Sequence, residues 1–84
     1  MSKFVFHSDP GHGWLQVPKE LVKELGIRKA ISPYSYQDKE YLYLEEDCDA
    51  DLFYQAYVRQ YGKPMEVVVQ HYNDECFVRN LRGA

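Results

Sequence analysis

Cysteine, methionine and tryptophan are scarce in this chain: two, two and one among 84 residues. Two thiols, Cys48 and Cys76, allow at most one disulfide, so a disulfide scaffold is excluded and both are expected to be reduced. No apolar run approaches the roughly 20 residues that span a bilayer. Met1-Ser2-Lys3 opens directly onto Phe4-Val5-Phe6 without an apolar leader, and the mean hydropathy is -0.57. A soluble protein with no membrane partner, resident in the cytoplasm, is the expectation. There is no repeat, linker or low-complexity segment, and 84 residues leave room for one core, so residues 1–84 are read as a single domain.

Charge and aromatic residues are what the chain has. Eight tyrosines are present, and the net charge of -3 is unevenly spread. Seven acids between Asp38 and Asp51 stand against Lys39 alone, a local charge of -6, so the remainder carries +3. A surface this lopsided attracts basic partners at one end and repels phosphate there.

Hydrophobic alternation and turn residues predict an α+β fold, an antiparallel sheet with two helices in the order ββαββαββ. Phe4-Val5-Phe6 and Trp14-Leu15-Gln16-Val17 are strands around the turn Ser8-Asp9-Pro10-Gly11, with Gly11 and Gly13 available for positive φ. Trp14 is placed at the hairpin's mouth. Pro18 starts a helix carrying Leu21, Val22 and Leu25 on one face, and Gly26 stops it. Residues 30–36 and 41–44 flank the turn Gln37-Asp38-Lys39-Glu40, which sets Tyr36 opposite Tyr41 and Tyr34 opposite Tyr43, four tyrosines on one face with Leu42 and Leu44 on the other. The principal helix runs from an N-cap at Asp47 or Asp49 to Gly62 and Pro64, with Leu52, Phe53, Ala56 and Tyr57 inward. Met65–Tyr72 is a strand whose Val67-Val68-Val69 centre predicts burial on both faces, and Cys76–Arg79 is the last strand.

Three constellations invite chemistry. Asp47-Cys48-Asp49-Ala50-Asp51 has the alternate carboxylates of a calcium loop, but Leu52 stands where an EF-hand needs glycine and Val58 where it needs glutamate, which leaves an acidic helix cap. His7, Asp9 and His12 are competent metal ligands in a spacing that matches no specific site; they define a small metal-dependent enzyme as one alternative. Cys76 with His71 lacks any accompanying oxyanion motif. No complete catalytic or cofactor motif is present, so the expectation is a non-enzymatic protein with no cofactor and no bound metal.

Trp14-Leu15-Gln16-Val17-Pro18-Lys19-Glu20-Leu21-Val22-Lys23-Glu24-Leu25-Gly26-Ile27 resembles the strand, Pro-Lys-Glu, helix, Leu-Gly-Ile segment of AbrB-type swapped-hairpin regulators. That likeness implies a dimer with Lys19, Lys23, Arg28 and Lys29 facing DNA. Ser8-Asp9-Pro10-Gly11-His12-Gly13-Trp14-Leu15, with Ser32-Pro33-Tyr34-Ser35-Tyr36 and Tyr43-Leu44-Glu45-Glu46-Asp47-Cys48-Asp49, is similar to small proteins of phages and mobile elements. Small acidic phage proteins include anti-CRISPR and antirestriction inhibitors, some of them mimics of DNA charge. The resemblance implies a cytoplasmic inhibitor, monomer or homodimer, of a host protein or protein–RNA defence complex, with no direct nucleic-acid contact. Its partner-binding residues are expected to be Glu45, Glu46, Asp47, Asp49 and Asp51 with Tyr34, Tyr36, Tyr41 and Tyr43. The chemistry assigned to them is carboxylates occupying phosphate-binding arginines and tyrosines serving as desolvated anchors.

Overall fold

A computed structural model describes residues 3–84. The strands are β1 (Lys3–Ser8), β2 (Gly13–Pro18), β3 (Tyr36–Gln37), β4 (Tyr41–Glu45), β5 (Glu66–His71) and β6 (Arg82–Gly83), and the helices are α1 (Lys19–Glu24) and α2 (Asp49–Tyr61). They form one α+β domain with the expected element order. The sheet runs β5-β1-β2-β4-β3-β6, antiparallel throughout except where β5 lies parallel to β1. A parallel neighbour needs a crossover, and α2, between β4 and β5, supplies it.

Alternation along the strands divides the sheet into two faces. Phe4, Leu15, Val17, Leu42 and Leu44 point to one side and pack against Val22 of α1 and Phe53 and Tyr57 of α2. Phe4 meets Phe53 and Tyr57 edge-on, at centroid separations of 5.5 and 5.7 Å. Both helices end as the sequence predicts, at glycines in the left-handed region, Gly26 (φ 72°) and Gly62 (φ 71°). The first hairpin uses its glycines differently. Neither Gly11 nor Gly13 has positive φ; a Cβ on Gly13 would lie 2.3 Å from Cζ of Phe6, so the position requires the absence of a side chain.

On the opposite face Trp14 and Tyr43 form a second cluster with Cys76 and Val78, so Trp14 seals this side and not the helical core. The covering layer is the C-terminal segment, and α1, which packs on the other face, takes no part in it. Residues 77–80 accordingly form a 3-10 turn where a last strand was predicted, and the last strand is β6. Two further expectations fail. Residues 30–35 are not a strand: Ser32 and Ser35 turn inward to the side chain of Asp49, and serine bonding to nearby groups wins over a ladder that Pro33 cannot join. β5 is exposed on both faces, since it occupies the sheet edge beyond the helices.

Candidate partner-binding cleft

The face carrying Trp14 has a cleft of about 410 Å³, lined by His12, Trp14, Tyr34, Tyr36, Glu45, Asp47, Cys48 and Arg79. Three local structures build it. The first is the β1–β2 turn, organised by Asp9. Its Oδ1 accepts from the N–H groups of Gly11 (3.0 Å) and His12 (2.9 Å), and its Oδ2 accepts from Cys76 N–H (3.0 Å). Arg79 completes a two-pronged ion pair, Nε to Oδ2 at 2.6 Å and Nη2 to Oδ1 at 2.9 Å. The Arg79 guanidinium, helped by the three backbone donors, holds the Asp9 carboxyl well below the usual carboxylate range against the opposing effect of burial. The same guanidinium lies over Trp14, 5.3 Å from its centroid.

The second is the turn that presents Tyr34. Asp49 is the first residue of α2, but its carboxylate does not cap the helix. It is 3% exposed and its Oδ2 accepts from Ser32 N–H (2.9 Å), Ser32 Oγ (2.7 Å) and Ser35 Oγ. Ser35 Oγ accepts in turn from Glu45 N–H at 2.9 Å, and Ser35 O from Ala84 N–H. One buried acid thereby fixes the Tyr34 turn, the end of β4 and the last residue. Tyr34 is left 76% exposed at the rim, while Tyr36 meets Trp14 edge-on at 6.0 Å.

The third is the β4–α2 connection. Glu45 turns its carboxylate onto its own loop, accepting from Asp47 N–H (3.0 Å) and Cys48 N–H (3.1 Å), while Glu46 N–H donates to Gly13 O. Glu46, Asp47 and Asp51 are exposed.

The tyrosine ladder exists in another register. Tyr36 pairs with Tyr43, not with Tyr41, because the turn is centred one residue later, on Lys39-Glu40: Asp38 N–H donates to Tyr41 O, Asp38 Oδ1 accepts from Glu40 and Tyr41 N–H, and its Oδ2 accepts from the Tyr43 hydroxyl at 2.6 Å. Burial raises the Tyr43 hydroxyl's pKa, and the bond to Asp38 raises it further. For Asp38 burial pulls upward, but the donors from Tyr43, Tyr41 and Glu40 together carry its pKa below the ordinary value. The shift is even in number, so Tyr36, Tyr41 and Tyr43 still share a face, but Tyr34 is outside the ladder. Tyr43, 3% exposed, and Asp49 are interior residues and leave the expected contact surface; Tyr41 lies on the same face, away from the cleft.

His7, Asp9 and His12 are not gathered. A carbonyl only accepts, so His7 Nε2 donates to Gln16 Oε1 at 2.7 Å, while Nδ1 is hydrogen-bonded to the Tyr72 hydroxyl at 2.9 Å. Asp9 is committed to Arg79, and His12 lies beside Trp14, its ring tilted at a centroid separation of 6.1 Å. Among the described residues no group of three or more His, Cys, Asp or Glu is placed to hold a metal ion. Cys76 is buried and its N–H is taken by Asp9, whereas His71 is exposed on β5. Lys23, Arg28 and Lys29 are exposed and Lys19 half-buried along α1 and the turn after it, away from the cleft. Among the described residues no helix is long and apolar enough to cross a membrane.

Sequence reasoning reached Tyr34, Tyr36, Glu45 and Asp47 but missed Arg79, Trp14 and His12 as parts of the same site. An Asp followed by Pro-Gly is a turn signal and says nothing of a base 70 positions away. No protein-family model, curated protein or solved structure matches the chain.

Proposed function

We propose that the protein is a binding domain whose cleft seats a basic side chain, arginine or lysine, of a protein partner. The observation that carries this reading is the charge inside the cleft. Its one Lys or Arg, Arg79, is neutralised by Asp9, whereas among the described residues neither Glu45 nor Asp47 has a Lys or Arg at ion-pairing distance. The lining therefore carries uncompensated negative charge beside the rings of Tyr34 and Tyr36, a setting in which a cation gains from carboxylate and π-face together. Tyr34 at the rim is the natural anchor, since interface energy concentrates in aromatic residues that become desolvated.

The partner class follows from the same chemistry. Proteins that handle nucleic acid present arginines and lysines for phosphate, and Asp47 in the cleft with the exposed Glu46 and Asp51 of the same segment suit such a surface. Together with the likeness to phage and mobile-element proteins, this supports an inhibitor of a host defence complex, CRISPR-type or restriction, acting in the host cytoplasm by occupying phosphate-binding residues as DNA would. The reading assigns no reaction to the protein. Asp47→Lys and Tyr34→Ala should each abolish inhibition of the target nuclease at stoichiometric ratio while leaving the fold intact by circular dichroism. Undiminished inhibition by both folded variants would sink the proposal. Glu45 is the wrong residue for this test, because its carboxylate also holds the loop.

A further inference from the structure

The strand β5 is a six-residue sheet edge exposed along its whole length, and Val67, Val68 and Val69 at its centre are 42%, 52% and 47% exposed. Edges are ordinarily blunted by brevity, lysine, proline or a bulge. The other edge, β6, obeys that rule with two residues, whereas β5 contains neither lysine nor proline and pairs with β1 at every position from Glu66 to His71. A row of outward backbone donors and acceptors flanked by three half-exposed valines is a template for another strand.

We propose that the strand it takes is β5 of a second copy of this chain, joined antiparallel about a two-fold axis along the sheet normal. Such an axis keeps the helical faces of both copies on one side. Directly opposed residues share a face, so the pairing must be centred on a residue. Centring on Val68 sets Val68 against itself, Val67 against Val69, and Glu66 against Gln70, so that a carboxylate meets an amide donor on each side of an apolar middle. Centring one residue either way sets Val68 against Glu66 or against Gln70, and centring on Glu66 opposes two carboxylates. Only the Val68 register matches every pair from Glu66 to Gln70 in character. On the helical face Val67 and Val69 already continue the row begun by Phe4 and Phe6 of β1, and the second copy doubles that row. The cleft, built on β2, β3 and β4, stays open in each copy, so this inference does not rest on what the cleft binds.

Cysteine cross-linking tests both the partner and the register, in a Cys48→Ser background that removes the exposed native thiol. Opposed Cα atoms lie about 5 Å apart, within disulfide reach, whereas the two copies of residue 67 would be about 8 Å apart and beyond it. Val68→Cys should form a disulfide-linked dimer under mild oxidation, and Val67→Cys should not. By sedimentation the unmodified chain should have twice the 10.0 kDa chain mass at high micromolar concentration, and Val68→Lys should return it to one. A monomeric unmodified chain, a Val68→Lys variant still dimeric, or equal cross-linking at 67 and 68 would each overturn the proposal.

Discussion

Replacing Asp49 with alanine should cost more stability than any other single change at an acidic residue of the 38–51 segment. Its carboxylate is buried and receives three donors, from Ser32 N–H, Ser32 Oγ and Ser35 Oγ. A hydrogen bond to a charged group contributes about 1.5–3 kcal/mol, but three bonds on one oxygen do not add fully. Ser32 is half-exposed and can turn to water; Ser35 is wholly buried, and its hydroxyl would be left without an acceptor. A loss of about 3 kcal/mol follows, or a fall in Tm of roughly 15 °C for a domain of this size. Asp49→Asn keeps one acceptor of the same shape without the charge and should lose about half as much. Urea unfolding followed by Trp14 fluorescence provides the assay, with a shifted midpoint at unchanged slope. A double-mutant cycle with Ser35→Ala should show coupling of about 1 kcal/mol or more. A loss below about 0.5 kcal/mol, or simple additivity with Ser35→Ala, would refute the role given to this acid.

Gly13→Ala should destabilise the fold by about 2 kcal/mol, because the new methyl collides with the Phe6 ring, and Phe6→Leu should recover part of that loss; equal costs in the two backgrounds would contradict the steric account. Arg79 holds the Asp9 carboxyl below its ordinary pKa of 3.8 in the folded chain, so the unfolded chain binds the proton first as pH falls; this stabilisation is complete above that pH and drains away below it. Asp9→Asn should therefore flatten the acid limb of a stability–pH curve, and an unchanged limb would show that the ion pair carries no weight. A titration of duplex DNA at low salt should be flat; a salt-sensitive shift abolished by Lys23→Glu and Arg28→Glu would favour a DNA-binding regulator instead.

Much of the fold was legible in local patterns. Pro18 and Gly26 bracket α1, Gly62 ends α2, and alternation places Leu42 and Leu44 on the helical core. What failed depended on distant partners. Ser32 and Ser35 leave the expected strand because Asp49 draws them inward, and that carboxylate reads in sequence as one more acid in a helix cap. The Val67–Val69 run looks buried on both faces, yet composition cannot tell a central strand from a bare edge. The cleft was half legible for a similar reason. Its acids and tyrosines are clustered in sequence, but the Asp9–Arg79 pair that leaves them as uncompensated charge joins opposite ends of the chain.

The most direct test of the binding reading is quantitative affinity capture from a defence-equipped host lysate, with the unmodified protein beside Asp47→Lys and Tyr34→Ala. The account predicts one abundant nucleic-acid-handling protein or complex retained by the unmodified chain and lost from both variants. Retention of the same complex by both variants would place the binding surface elsewhere and contradict the account.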